Sequence, residues 1–156
     1  MFLFWYRFVR PNSSGITRGV GESVYYNLVK PQIADFMGSV FETICQQYLF
    51  QPHIYPALPF PVAEVGRWWG NNPVKKCQEE IDIVAIQEDH ILLGECKWKN
   101  SPVDMETAKT LFERGNLFRQ PYKYYYLFSK NGFTESLIHY AEKIKNVYLI
   151  SYRDIG

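Results

Sequence analysis

The stretch Glu79–Asn100, EEIDIVAIQEDHILLGECKWKN, decides the fold. It contains two nearly continuous apolar runs, which are separated by a short polar break at Glu88 and Asp89. Runs of this kind are typical of central strands that are covered on both faces of a sheet. An even-numbered turn at the break pairs the two runs antiparallel, so that Gln87 lies opposite His90.

The same register brings two acidic side chains together. Counting back from the turn, we expect Asp82 directly opposite Glu95, with Lys97 two positions further along the same face. Opposed residues have Cβ atoms about 4.5–5.5 Å apart, and two carboxylates at about 5 Å repel by roughly 3 kcal/mol at an effective dielectric near 20. Glu80, which is expected opposite Lys97, adds further negative charge. A divalent cation is therefore predicted to compensate the acidic groups.

An Asp on one strand and Glu95-Cys96-Lys97 on the next, after a helix that carries Glu42, resemble the PD-(D/E)XK nuclease superfamily. The chain is more closely similar to the C-terminal domain of archaeal-type P-loop ATPases, which also occurs in bacteria. That similarity covers most of the chain. It is carried by FLFWYRFVRPN at residues 2–12, Phe41-Glu42, Arg67-Trp68-Trp69-Gly70, EIDIVA and GECKW.

The resemblance implies an α/β fold of the restriction-endonuclease-like class. Its αβββαβ core has a mixed central sheet flanked by helices, and a further α-β unit follows at the C-terminal end. Where active, such domains hydrolyse phosphodiester bonds with Mg²⁺ or Mn²⁺. The implied partners are nucleic acid, with DNA as the expected form, and an upstream ATPase portion of the same protein. A homodimer is a further possibility that the resemblance leaves open.

The resemblance also implies a role for each residue of the motif. The catalytic residues would be Glu42, Asp82, Glu95 and Lys97. Asp82, Glu95 and the backbone carbonyl of Cys96 would bind the metal, and Lys97 would orient the attacking water or stabilise the charge that develops on phosphorus. Glu42 would hold a second ion or a water in that ion's shell.

Composition limits the function classes. The chain has 156 residues and a formal net charge of +1, so it lacks the overall basic footprint of a dedicated nucleic-acid binder. Lys99 and Lys109 are candidate nucleic-acid contacts, although basic clusters are often only a solvated face. Three cysteines without CxxC spacing indicate a reduced, cytoplasmic setting. No apolar run is long enough to span a membrane, and the missing GxxxxGK[ST] motif excludes P-loop ATPase activity in this chain.

The remaining pattern predicts the element order α-β-β-β-α-β-α-β, without internal repeats. Residues 1–20 are expected to join the chain to the ATPase portion, and residues 21–156 to form the nuclease-like domain. A break at Pro11–Gly15 and a long helix that starts at Pro31 are expected within these ranges. Further expected elements are strands at 62–69, 75–86, 122–129 and 147–152, a helix capped by Ser101 that runs to about Arg114, and a helix after Thr134.

Three alternatives remain open. Glu42 could be a boundary carboxylate that faces solvent. The chain could be a catalytically silent module that binds nucleic acid or protein through the same fold. Asp82, Glu95 and Lys97 could also form a buried ion-paired trio with a purely structural role, although such a trio seldom offsets its desolvation.

Overall fold

The computed structural model describes residues 2–155, which divide into two compact units between Ser39 and Val40. None of the helices within residues 2–155 is long and apolar enough to cross a membrane. The expected linking role of residues 1–20 stays a prediction.

The first unit is almost entirely helical. The expected break at Pro11–Gly15 is absent. The chain instead continues through a 3₁₀ turn into a helix that ends at Thr17. The predicted start of the long helix at Pro31 is also wrong, because helical structure begins earlier and Pro31 lies in a second 3₁₀ turn. The elements are α1 (Phe2–Phe4), a π-helix (Trp5–Val9), a 3₁₀ helix (Arg10–Asn12), α2 (Ser13–Thr17), α3 (Gly21–Val24), a π-helix (Tyr25–Val29), a 3₁₀ helix (Lys30–Gln32) and α4 (Ile33–Tyr48).

Proline explains the two π-helices. Each ends one residue before an Arg-Pro or Lys-Pro pair, where the proline lacks an N–H and its ring crowds the carbonyl one turn earlier. The helix therefore widens by one residue. The Arg10 N–H donates to the Trp5 carbonyl and the Lys30 N–H donates to the Tyr25 carbonyl, both from i to i−5.

The second unit is built on a five-stranded mixed sheet, which confirms the predicted fold class. The strands are β1 (Gly66–Asn72), β2 (Cys77–Gln87), β3 (His90–Lys97), β4 (Tyr122–Ser129) and β5 (Val147–Ser151), and they lie in that order across the sheet. The pairs β1–β2 and β2–β3 are antiparallel, whereas β3–β4 and β4–β5 are parallel. The predicted element order is also confirmed.

Helices cover both faces of the sheet. On one face, Phe41, Cys45 and Leu49 of the α4 region pack against the sheet together with Ile83 and Leu92. On the other face, the core includes residues of α5 (Met105–Gly115) and α6 (Glu135–Lys143), together with strand residues that alternate with the first set. The central strand β3 is buried almost throughout, as its continuous apolar run predicts.

The predicted β2–β3 hairpin is confirmed. Gln87 pairs with His90, and the ladder continues to Ile83 opposite Gly94, one residue short of the predicted pair. Glu88 adopts a positive φ of 53°, as a tight turn requires. A Cβ on Gly94 would lie 2.8 Å from the Cβ of Ile83, so only glycine allows this close approach of the two strands.

A β-bulge interrupts the pairing of β1 with β2 beside Asp82. On β1, Arg67 alone separates Gly66 from Trp68, whereas their partners on β2 are separated by both Asp82 and Ile83. The extra residue reverses the alternation of side chains along β2. Ile81 therefore packs on the α5 face and Ile83 on the α4 face, although residues two apart share a face in a regular strand. Bulges commonly reorient a side chain beside a functional site.

Several predicted boundaries are wrong for local reasons. Strand β1 starts later than residue 62 and includes Gly70–Asn72, and the turn follows it at residues 73–76. Ser101 does not cap α5. Val103 forms a β-bridge with Phe133, which holds that segment extended, and the Asp104 carboxylate caps the helix by accepting from the Thr107 N–H at 3.0 Å.

Candidate functional site

Asp82 lies at the bulge and is largely buried. Its Oδ2 accepts a hydrogen bond from the backbone N–H of Cys96 at 2.8 Å, and its carbonyl accepts from the Gln46 side chain of α4 at 3.3 Å. Burial and, to a lesser extent, the nearby Glu95 carboxylate raise the pKa of Asp82 to about 6, against smaller opposing effects of the Cys96 N–H, Lys97 and Arg67. The structure therefore places a carboxyl with an elevated pKa beside Glu95, as the register predicts.

Glu95 is bonded to cations through both carboxylate oxygens. Oε1 forms an ion pair with Nζ of Lys97, and Oε2 accepts from Nη1 of Arg114 at 3.1 Å. The Glu95 side chain is only 8% exposed, so each partner contributes to stabilising a buried charge. The predicted proximity of Glu95 and Lys97 is thus present, together with a second basic partner.

Arg114 also binds a second buried acid. Its Nε donates to Oε2 of Glu79 at 2.8 Å, and this hydrogen bond is the main reason that the pKa of Glu79 is lowered. Arg114 therefore bridges Glu79 of β2 and Glu95 of β3 from the last turn of α5. The expectation that Glu80 would lie opposite Lys97 is wrong, because the bulge shifts the alternation and Glu79 faces this side instead.

Glu42 lies on α4 and forms an ion pair with Arg67 of β1. Arg67 also contacts Glu80 at 3.1 Å and lies close enough to Asp82 to lower its pKa. The Glu42 side chain is 19% exposed, which places it at the boundary between the core and solvent. Arg67 thereby connects Glu42 to the surroundings of Asp82.

A polar cleft of about 340 Å³ opens beside Glu95. Lys99, one of the two predicted nucleic-acid contacts, lines this cleft together with Lys97 and Arg114. Lys109, the other, lines a separate cleft between α5, α6 and the sheet. The structure therefore brings Lys99, but not Lys109, to the candidate site.

The donor set of the site fits a hard divalent cation in part. Asp82 and Glu95 offer carboxylate oxygens of the kind that Mg²⁺ prefers, and the carbonyl of Cys96 stays a predicted ligand. Within residues 2–155, however, no group of three or more His, Cys, Asp or Glu side chains is arranged to hold a metal. Arg67 near Asp82 and Arg114 beside Glu95 already supply part of the positive charge that was expected from a divalent metal ion.

Sequence reasoning did not assign Arg114, Glu79 or Arg67 to the site. Helical spacing could have indicated that Arg114 faces the sheet, since it follows the buried Leu111 by about one turn and precedes the buried Gly115. The position of Glu79 depends on the bulge, which no local pattern in β2 indicates.

A family described as "Archaea bacterial proteins of unknown function", DUF234, matches residues 5–110. The chain belongs to this family. DUF234 is the C-terminal domain of archaeal-type ATPases that the sequence resembles. The matched range contains α2 to α4, strands β1 to β3 and the start of α5, and hence Glu42, Asp82, Glu95 and Lys97.

Two proteins of undescribed function are similar to this DUF234 chain. An uncharacterized protein of Methanocaldococcus jannaschii is 30% identical over 99 residues, which are 62% of this chain and 20% of that protein. The chain thus spans about a fifth of the relative that it matches. A crystal structure of a protein of unknown function aligns with a TM-score of 0.45 at 18% identity, over 70% of this chain and 58% of the other. That score is too low to establish a shared fold.

Proposed function

We propose that this domain is a metal-dependent nuclease of the PD-(D/E)XK type, which hydrolyses phosphodiester bonds of nucleic acid, with DNA as the expected substrate. The observation that carries the proposal is the proximity of the half-buried Asp82 carboxylate, whose pKa is raised to about 6, to Glu95 on the neighbouring strand, which forms an ion pair with Lys97. A strongly perturbed carboxyl group is typical of functional sites, and its neighbour Glu95 lines the polar cleft.

Each residue has a chemical role in this proposal. Asp82 and Glu95 would hold Mg²⁺ or Mn²⁺, with the Cys96 carbonyl as a further ligand. A bound divalent ion polarises the phosphate and lowers the pKa of a coordinated water. Lys97 would leave Glu95 to orient that water or to stabilise the charge that develops on phosphorus. Glu42, held by Arg67, would contact a second ion or a water of its shell.

The role of Asp82 follows from its surroundings. At neutral pH the carboxyl is mostly ionised, since its pKa of about 6 lies below 7. Its negative charge is nevertheless poorly solvated, because burial is the largest effect on that pKa. A cation near Asp82 and Glu95 would relieve this cost, which makes the pair a favourable position for metal binding.

A second candidate is the catalytically silent module that binds nucleic acid or protein. It is favoured by the double contact of Glu95, since both of its oxygens are already bonded to Lys97 and Arg114. In this reading the charged cluster fixes β2, β3 and α5 relative to one another. The family membership does not separate the two candidates. The resemblance to the ATPase C-terminal domain supports a role beside an ATPase portion, and the three cysteines without CxxC spacing support a cytoplasmic setting.

A cleavage assay tests the proposal. Supercoiled plasmid, single-stranded DNA and RNA are incubated with the chain in Mg²⁺ or Mn²⁺, and Lys97→Ala is compared with wild type. Lys145→Ala is the matched control, because Lys145 is an exposed lysine outside the site. We expect cleavage by wild type and by Lys145→Ala that is reduced at least 100-fold in Lys97→Ala. Equal behaviour of wild type and Lys97→Ala on every substrate would refute the nuclease and favour the silent module.

A further inference from the structure

The first unit contains an internal duplication, although the sequence pattern predicted no repeats. Residues 5–12, WYRFVRPN, and residues 25–32, YYNLVKPQ, share the pattern aromatic-Tyr-x-Phe/Leu-Val-Arg/Lys-Pro-Asn/Gln. Both segments form a π-helix followed by a 3₁₀ helix with the same i to i−5 hydrogen bond. The repeat is therefore present in the backbone as well as in the residue types.

The duplication extends to the side chains. Trp5 and Tyr6 meet edge to face at 5.2 Å between ring centroids, and the Arg10 guanidinium lies 5.3 Å from the Tyr6 centroid. We call these three residues the first module. The second module consists of Tyr25, Tyr26 and Lys30, in which the rings also meet edge to face at 5.2 Å and the ammonium lies 5.0 Å from the second ring.

The rings of both modules face solvent to the same extent. The first and second rings are 45% and 54% exposed in the first module and 46% and 53% exposed in the second. The buried core of this unit uses other residues, namely Phe8, Val29 and Phe36. The core contacts are not duplicated, since Phe8 is buried and its counterpart Leu28 is 45% exposed. On their exposed side, the two segments thus share a set of two rings and one cation.

We propose that the two modules form a binding surface for single-stranded nucleic acid. Exposed aromatic rings stack on unpaired bases without regard to sequence, and a neighbouring cation contacts the backbone phosphate. A strand offers the same base and phosphate repeatedly, which matches two equal modules. Within residues 1–39 there are four basic and two acidic side chains, so the charge of this unit also suits a polyanion.

This surface is independent of the nuclease proposal. It uses no residue of the Asp82 and Glu95 site, and stacking on bases requires no metal. Binding can therefore be measured in EDTA, where cleavage by a metal-dependent enzyme is absent. Failure of one proposal leaves the other unaffected.

The test is fluorescence anisotropy of labelled oligo(dT) and oligo(U) with the 156-residue chain in EDTA. Tyr6→Leu and Tyr26→Leu keep apolar surface but remove the aromatic face, whereas Tyr6→Phe and Tyr26→Phe keep it. We expect each Leu variant to weaken binding about tenfold and each Phe variant to bind like wild type. Tyr122→Leu is the control, because Tyr122 is 55% exposed and lies outside the modules. Circular dichroism establishes that each variant is folded.

Salt dependence supplies a second readout. Removing the cation of either module, as in Arg10→Gln or Lys30→Gln, should lower the slope of log affinity against log salt by about 0.7. An absence of oligonucleotide binding by the folded wild-type chain overturns the proposal. So does a Leu variant that binds as tightly as wild type. If the modules instead mediate self-association, gel filtration will show an oligomer that the Leu variants weaken, and oligonucleotide affinity will be unchanged by all four tyrosine variants, which also overturns it.

Discussion

Replacing Asp82 by Asn should stabilise the fold above pH 7. The amide keeps an oxygen that can accept the Cys96 N–H, which donates to Asp82 at 2.8 Å, and it removes a poorly solvated charge. Functional sites often retain groups of this kind at a cost in stability. A purely structural ion-paired trio predicts the opposite, because removing one charge from it leaves the partners uncompensated.

The size of this stabilisation follows from the pKa of Asp82. Burial, together with the nearby Glu95 carboxylate, raises that pKa from 3.8 to about 6. The difference is about two units, and each unit corresponds to about 1.4 kcal/mol. The ionised carboxylate therefore lowers the free energy of unfolding by about 3 kcal/mol at pH 8. As the pH falls, the folded chain takes up the proton before the unfolded chain does, so this cost disappears between about pH 6 and pH 4. About half of it is gone by pH 5.

The assay is urea denaturation of wild type and Asp82→Asn in EDTA at pH 8 and pH 5. We expect Asp82→Asn to be more stable by about 3 kcal/mol at pH 8 and by about half as much at pH 5. Asp104→Asn is the control, since hydrogen bonds from Thr107 lower the pKa of Asp104 and its substitution should not stabilise. A destabilised Asp82→Asn at pH 8, or a difference that does not change with pH, would refute the reasoning.

Arg114→Leu is expected to destabilise the fold by about 3–5 kcal/mol, because it leaves Glu79 buried without its main partner. Adding Glu79→Gln should recover part of this loss in urea unfolding, and additive effects of the two substitutions would argue against the contact of Arg114 with Glu79. Gly94→Ala should cost about 1–3 kcal/mol in thermal or urea unfolding, since the new Cβ would lie 2.8 Å from Ile83. The matched control Gly38→Ala, where no atom lies within 4 Å, should stabilise α4 by up to about 1 kcal/mol, and equal effects of the two substitutions would contradict this packing argument.

The hairpin could be predicted from sequence because its determinants are local. Two apolar runs and a two-residue break fix the pairing of Gln87 with His90, and each further pair follows along the ladder. The same reasoning gives the strand Tyr122–Ser129 with its observed bounds. Continuous burial of β3 likewise follows from its composition.

The bulge and its consequences could not be predicted in this way. A bulge is decided by the strand on the other side, here by Arg67 opposite Asp82 and Ile83. It reverses the alternation of β2, so that Glu79 rather than Glu80 contacts Arg114. The duplicated aromatic modules were missed for another reason. Their similarity lies in residue classes at a separation of 20 positions. Pro11 predicts a break and Pro31 a helix start, although both prolines lie within continuing helical structure.

Calorimetric titration of Mn²⁺ into the wild-type chain and Asp82→Asn measures directly whether Asp82 and Glu95 share a divalent cation. We expect wild type to bind the cation and Asp82→Asn, while folded and more stable, to lose at least tenfold in affinity. Wild type that binds no cation, or that binds it no better than Asp82→Asn does, would contradict the shared site of Asp82 and Glu95.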